Sequence, residues 1–132
     1  MSNEPITLGH HWIVDLHGCP EDLLDDHEQI RERLRETTER FGLTLLKIAS
    51  HRFEPQGVTV IGLLAESHMS IHTWPEHGYA AIDIFTCGSD QTLQAACEHV
   101  AEVMQAGKSN VMRLRRGVLS GGEPTGITSE PV

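Results

Sequence analysis

The 132-residue sequence predicts an α+β fold, a two-layer sandwich in which an antiparallel sheet carries two amphipathic helices on one face. Three observations predict it. Strand-like runs in the middle of the chain follow one another across turns too short for the crossover that parallel pairing needs. Two segments, one after Pro20 and one after Ser89, repeat apolar residues at helical spacing. The resulting order, β-α-β-β-β-α-β, supplies helices enough to cover one face of a sheet.

The elements follow in order. Residues 1–6 read as loose, and "LGHHWIVDL", Leu8 to Leu16, mixes β-branched and aromatic residues as a strand does. Gly18-Cys19-Pro20 breaks it. Pro20 then opens a helix at its first position, with Glu21 and Asp22 in the first turn where the helix dipole favours acids. Leu23, Leu24, Ile30, Leu34 and Phe41 form its apolar stripe, and Gly42 closes it. "LTLLKIASHRF", Leu43 to Phe53, is a second strand, and Pro55-Gln56-Gly57 a turn. "VTVIGLLA" from Val58 reads as a strand buried on both faces or nearly so. His68 to Thr73 is extended, Trp74 to Gly78 turns the chain, and "YAAIDIFT" returns as a strand. The second helix runs from about Asp90 to Gln105, with Leu93, Ala96, Cys97, Val100, Val103 and Met104 on one side, Ser89 as N-cap and Gly107 as stop. Val111 to Arg116 makes a short last strand. From Gly117 on, "GVLSGGEPTGITSEPV" is rich in Gly, Ser, Thr and Pro, and 118–132 is expected to be a disordered tail.

Composition narrows the function. The chain is long enough for one domain with its own core, and a hydrophobic fraction of 39% can fill it. A formal charge of −9 argues against nucleic acid, whose phosphates need clustered Lys and Arg; Arg113 to Arg116 is too small a cluster. No apolar run is long enough to cross a membrane, and the N-terminus has no signal-like core. Three cysteines without CxxC spacing favour reduced thiols and a cytoplasmic setting.

The chemistry concentrates in Glu66-Ser67-His68-Met69-Ser70-Ile71-His72, where an otherwise strand-like region gathers a carboxylate, two hydroxyls and two histidines. A buried polar group without a partner costs about 1–3 kcal/mol, so these side chains face water, pair with one another or do chemistry. His68 and His72 could share a metal, but no third ligand motif accompanies them, and no metal is expected. Ser67 with His72 could be part of a hydrolase triad, but the GxSxG elbow is absent. A wet sheet face lined by polar residues remains the bland alternative.

The run "AESHMSIHTWPEHGYAAIDIFTCG" resembles the prokaryotic S-adenosylmethionine decarboxylase proenzymes, a pyruvoyl-dependent family. "LGHHWIVDLHGCPEDLLDD", "HRFEPQGVT" and "RLRRG" extend the resemblance over about residues 7 to 117. It implies that Ser67 Oγ attacks the Glu66 carbonyl and that the resulting ester undergoes β-elimination. Hydrolysis then leaves a pyruvoyl group at the new N-terminus, dividing the chain into 1–66 and 67–132. By the same resemblance His72 accepts the proton in that elimination, a task suited to an imidazole near neutral pH. Thr59 stands where the family places an assisting hydroxyl.

The mature pyruvoyl group would form a Schiff base with the substrate amine and take up the electrons released with CO₂. Cys87, in "FTCG", corresponds to the acid that reprotonates the product carbon, and a thiol with a reference pKa of about 8.5 is mostly protonated at neutral pH. Cys97, on its helix stripe, reads as a small core hydrophobe. Phe53 and Trp74 match aromatics placed near the adenine ring, and Glu76 the carboxylate that binds the ribose hydroxyls. The product would be the aminopropyl donor for spermidine, made by a homo-assembly of processed protomers, (αβ)₂. Two other readings stand beside this one. The same pyruvoyl chemistry could act on arginine or ornithine, or the chain could be an inactive partner that regulates a homologue. Loss of Ser67, His72 or Cys87 would mark the inactive partner, and all three are present.

Overall fold

A computed structural model describes residues 4–87 and 89–132. The strands are β1 (Ile6–His17), β2 (Leu45–Arg52), β3 (Val58–Leu64), β4 (Ser67–Trp74), β5 (Tyr79–Thr86), β6 (Lys108–Ser120), β7 (Glu123–Pro124) and β8 (Thr128–Pro131). The helices are α1 (Glu21–Leu24), α2 (His27–Arg40) and α3 (Asp90–Val103), with one 3₁₀ turn at Pro75–His77. All described pairings are antiparallel, in the order β2-β3-β4-β5-β1-β6-β7, and β8 also pairs β6. The antiparallel α+β sandwich expected from the sequence is the fold.

The core follows from alternation along the strands. Trp12, Val14 and Leu16 of β1, Val58, Val60 and Leu64 of β3, Met69 and Ile71 of β4, and Ala80, Ile82 and Ile84 of β5 are buried on one face. They meet Leu23 and Leu24 of α1, Ile30 and Leu34 of α2, and Leu93, Ala96, Cys97 and Val100 of α3. Gly62 makes the close approach of α2 possible, because a Cβ there would lie 2.8 Å from Leu34 Cδ2. Burial pushes the Cys97 thiol up to about 12, which suits an inert core residue.

Five expectations are corrected. The strand from Val58 is buried on one face only, because Ile61 and Leu63 alternate onto the uncovered face and are 45% and 51% exposed. The first helix is two helices, because the Asp26 side chain accepts from the Gln29 N–H at 3.1 Å and caps a new start. The last strand is thirteen residues long rather than six, since it pairs with β1 from Ile6↔Leu119 to His17↔Lys108. The tail is not disordered. Residues 128–131 bind the outer edge of β6 from Met112↔Pro131 to Arg115↔Thr128, and Glu130 pairs with Arg113 at 2.7 Å and also with Arg115. An unpaired edge is a row of open backbone donors and acceptors, and the tail supplies partners for it. The loose start expected over 1–6 ends at Ile6, which is in β1; residues 1–3 lie outside the described range. Among the described residues no helix is long and apolar enough to cross a membrane.

Among the described residues no helix lies on the other face of the sheet. Strand register arranges its side chains in rows. One row is Leu63, His68, Phe85, His11 and Leu114; the next is Ile61, Ser70, Asp83, Ile13 and Met112; the third is His51, Thr59, His72, Ala81 and Asp15. Ile13, Ile61, Leu63 and Met112 are 39 to 51% exposed on it. The polar and apolar residues of that face define the candidate site.

Candidate functional site

Ser67 begins β4 directly after the Ala65-Glu66 turn, with a φ of 151°. A side chain-bearing residue rarely adopts a positive φ, and such strain costs about 1–3 kcal/mol and collects at functional positions. The turn is tied down on its other side, where the Thr44 N–H donates to Glu66 Oε1 at 2.9 Å and that bond holds the Glu66 carboxyl below its ordinary range. Ser67 Oγ lies 3.4 Å from His68 Nδ1. Cys87, exposed, follows β5 at the same end of the sheet, because β5 pairs β4 with Phe85 opposite His68.

His72 is elsewhere. Its Nδ1 shares a hydrogen bond of 2.9 Å with Thr59 Oγ1 across the β3–β4 pair. This dyad borders a hollow of about 350 Å³ that also contains Phe53, Trp74 and Glu76. Glu76 Oε2 accepts from Gln56 Nε2 at 3.0 Å, and the Trp74 ring leans on Tyr79 with centroids 5.1 Å apart. The hollow therefore collects five of the residues singled out in the sequence. It does not collect Ser67 or Cys87, since five residues of strand separate Ser67 from His72, about 16 Å at the usual rise.

Between the two ends lies a broader groove of about 510 Å³, lined by His11, Ile13, Ile61, His68, Ser70 and Asp83 among others. Asp83 is its charged centre. Its Oδ2 accepts from His11 Nε2 at 2.6 Å and from His68 Nε2 at 3.1 Å, and its Oδ1 accepts from the Ser70 hydroxyl. Burial pushes the Asp83 carboxyl up, but the bonds from Ser70, His11 and His68 together outweigh it and hold it below the usual carboxylate range. Sequence reading did not single out Asp83 and His11, and gave His68 and Ser70 structural places in the motif rather than a catalytic role. A lone acid in the apolar run "YAAIDIFT" was the available signal. That it shares a face with His68 and Ser70 follows from the β4–β5 register.

A carboxyl depressed on folding contributes stability above its unfolded pKa of about 3.9, and that contribution disappears as pH falls through the lower folded value. Asp83→Asn is therefore expected to flatten the fall of melting temperature below about pH 4. Near neutral pH it should cost about 1–3 kcal/mol, because two imidazole donors lose a charged acceptor. Calorimetric scans between pH 7 and pH 3 measure both, and an unaltered acid limb would contradict the depressed carboxyl.

Comparison with known proteins gives one consistent result. A family model described as S-adenosylmethionine decarboxylase matches residues 10–117. The chain is 50% identical over 99 residues to the S-adenosylmethionine decarboxylase proenzyme of Synechococcus sp. (strain WH7803), covering 75% of this chain and 77% of that one. It is 42% identical over 116 residues to the proenzyme of the same name from Methanococcus maripaludis, covering 88% of this chain and 95% of that one. The crystal structure of the adenosylmethionine decarboxylase from Aquifex aeolicus superposes with a TM-score of 0.81 at 35% identity, covering 90% of this chain and 98% of that chain.

Proposed function

Because the chain belongs to the S-adenosylmethionine decarboxylase family, we propose that it cuts itself between Glu66 and Ser67 and then decarboxylates S-adenosylmethionine. The observation that carries the reading is Ser67 itself, held at a positive φ on a turn whose preceding residue is anchored to Thr44. A strained junction favours the one rearrangement that relieves it, transfer of the Glu66 acyl group to the serine oxygen. The pyruvoyl group derived from Ser67 then supplies the electron sink for loss of CO₂. Cys87, exposed at the same end of the sheet, holds the proton for the product carbon. Phe53 and Trp74 present exposed rings to a flat, cationic nucleoside substrate, where stacking and cation–π attraction contribute about 0.5–2 kcal/mol, and Glu76 accepts from its ribose hydroxyls.

We further propose that the working unit is a symmetric dimer of processed protomers, (αβ)₂, in which each site takes residues from both copies. The uncovered sheet face, with Ile13, Ile61, Leu63 and Met112 exposed, is a surface that a second sheet would bury. A twofold axis lying between two such faces and running across the strands reverses strand direction. If it passes near Met69 and Ser70, the Ser67 end of one protomer meets Thr59, His72 and the aromatic hollow of its partner. Two equivalent sites result.

Release of CO₂ from carboxyl-labelled S-adenosylmethionine by the processed protein tests the activity. Arginine and ornithine serve as competing substrates, and decarboxylation of either in preference to the nucleoside would overturn the substrate assignment. Cys87→Ala should still process, yet lose turnover by about 10²–10⁴-fold. It should also convert the 67–132 fragment from pyruvoyl to alanyl faster during turnover, as misdirected protonation transfers the amine. Undiminished turnover with no such mass shift would make Cys87 a surface thiol without a role.

A further inference from the structure

We propose, on the basis of the self-processing reading above, that His68 is the general base that takes the proton from Ser67 Oγ in the first step of chain cleavage. Asp83 positions the His68 ring, and His11 and Ser70 in turn position Asp83.

The geometry comes from two strands and a turn. His68 Nε2 lies 3.1 Å from Asp83 Oδ2, so that nitrogen carries the proton and donates it to the carboxylate. A neutral imidazole protonated at Nε2 has its lone pair on Nδ1, and Nδ1 is the atom that lies 3.4 Å from Ser67 Oγ. Hydroxyl, imidazole and carboxylate are thus arrayed in the order of a nucleophile, its base and the group that orients the base, although two of them are neighbours in sequence. A separation of 3.4 Å is longer than a formed bond, and a small turn of the Ser67 side chain closes it. His72, bonded to Thr59 about five strand positions away, does not reach Ser67 of its own chain.

His11, His68 and Asp83 also offer three ligand atoms within 4.8 Å of one another. Two ligands of one tetrahedral zinc stand roughly 3.3 Å apart. His11 Nε2 and Asp83 Oδ2 are only 2.6 Å apart, the span of a short charge-assisted hydrogen bond. The cluster is built as a relay.

The step balances without a co-reactant. His68 Nδ1 takes the hydroxyl proton as Ser67 Oγ bonds to the Glu66 carbonyl carbon. The tetrahedral intermediate collapses with scission of the bond between that carbon and the Ser67 nitrogen, and the proton on His68 passes to the departing nitrogen. An ester, a free amine and a neutral imidazole remain, and nothing is oxidised or reduced. The groups facing the His68 ring are Asp83 from β5, His11 from β1, whose ring centroid is 6.0 Å away, and the Phe85 ring at 5.9 Å, across which Arg116 of β6 lies. Leu63, opposite on β3, is apolar.

The test uses full-length protein carrying His72→Ala, in which the ester should accumulate because elimination is blocked, and reads it as hydroxylamine-dependent cleavage. Adding His68→Gln keeps a donor toward Asp83 and should slow ester formation by about 10²–10⁴-fold. Adding His68→Gly instead should give a slow, pH-insensitive reaction between about pH 5 and 8 that free imidazole accelerates in proportion to its concentration. Ester formation in the His68→Gln protein at the rate of its His72→Ala parent would overturn the proposal. So would a slow His68→Gly protein that keeps the parent's pH profile and ignores imidazole, since that pattern belongs to a structural role. A wild-type chain that never cleaves would overturn the self-processing reading itself, before any substitution at His68.

Discussion

Purified wild-type protein is expected to give two masses, those of residues 1–66 and 67–132, and Ser67→Ala a single mass of the whole chain. The expected difference is close to all or none. Without the hydroxyl at position 67 there is no acceptor for the Glu66 acyl group, and an ordinary peptide bond does not hydrolyse on the timescale of a preparation. The strained φ of Ser67 adds a driving force that alanine at the same position would share. If strain alone cut the chain, Ser67→Ala would be cut too, so an uncut Ser67→Ala shows that the hydroxyl is required. The 67–132 fragment should resist amine-directed sequencing, because its first residue has become a ketone. His72→Ala should fall between the two. It retains the nucleophile and loses the base for elimination, so a hydroxylamine-sensitive ester accumulates and spontaneous processing slows by about 10²–10⁴-fold. Intact mass after prolonged incubation, with and without hydroxylamine, distinguishes all three states. A wild-type chain that remains whole would remove the basis for any pyruvoyl chemistry here.

The parts of the fold that were legible in the sequence are those fixed by local pattern. The β-branched and apolar runs Val58–Leu64 and Tyr79–Thr86 gave strands, and the apolar stripe of Leu93, Ala96, Cys97 and Val100 gave the second helix. The continuous apolar run at Val58 hid that Ile61 and Leu63 lie on the uncovered face. The break between α1 and α2 was locally encoded too, since Asp26 stands three residues before Gln29. The stronger start at Pro20 masked it by allowing one continuous apolar stripe. The tail was not legible for a different reason. Composition says that 118–132 cannot bury a core, but its order comes from pairing to β6 and from Glu130 meeting Arg113, long-range terms that composition does not contain.

The site divides in the same way. Ser67, His72, Cys87, Thr59, Phe53, Trp74 and Glu76 could all be named from motif residues, and register was needed to group them. Ser67 and His72 look adjacent in a seven-residue motif, yet an extended strand carries them to opposite ends of a groove. Asp83 and His11 converge on His68 only when β1, β4 and β5 are set side by side. A helix would have placed neighbouring motif residues on one face within a turn or so. The strand makes the motif span two half-sites.

That separation leads to an expected result for mixed dimers. Co-expression of a Ser67→Ala chain with a His72→Ala chain should restore cleavage at a rate that neither reaches alone, and the chain cut should be the one carrying His72→Ala. If each site joins Ser67 of one protomer to His72 of its partner, a mixed dimer contains one site with both residues and one with neither. The intact site holds the Ser67 of the His72→Ala chain, so that chain is processed. If the two residues acted within one protomer, both sites of the mixed dimer would lack one of them and no chain would be cut. With random pairing about half of the His72→Ala chains enter mixed dimers, which sets the ceiling on the processed fraction. Within such dimers processing should recover by about 10²–10⁴-fold over the His72→Ala homodimer, the factor ascribed to the lost base. Two affinity tags of different mass allow mixed dimers to be isolated and each fragment to be assigned. Isolated mixed dimers whose His72→Ala chain is no more processed than in its homodimer would place the whole processing site in one protomer. The short path from Ser67 to His68 would then have to serve both steps, because His72 of the same chain remains about 16 Å away along β4.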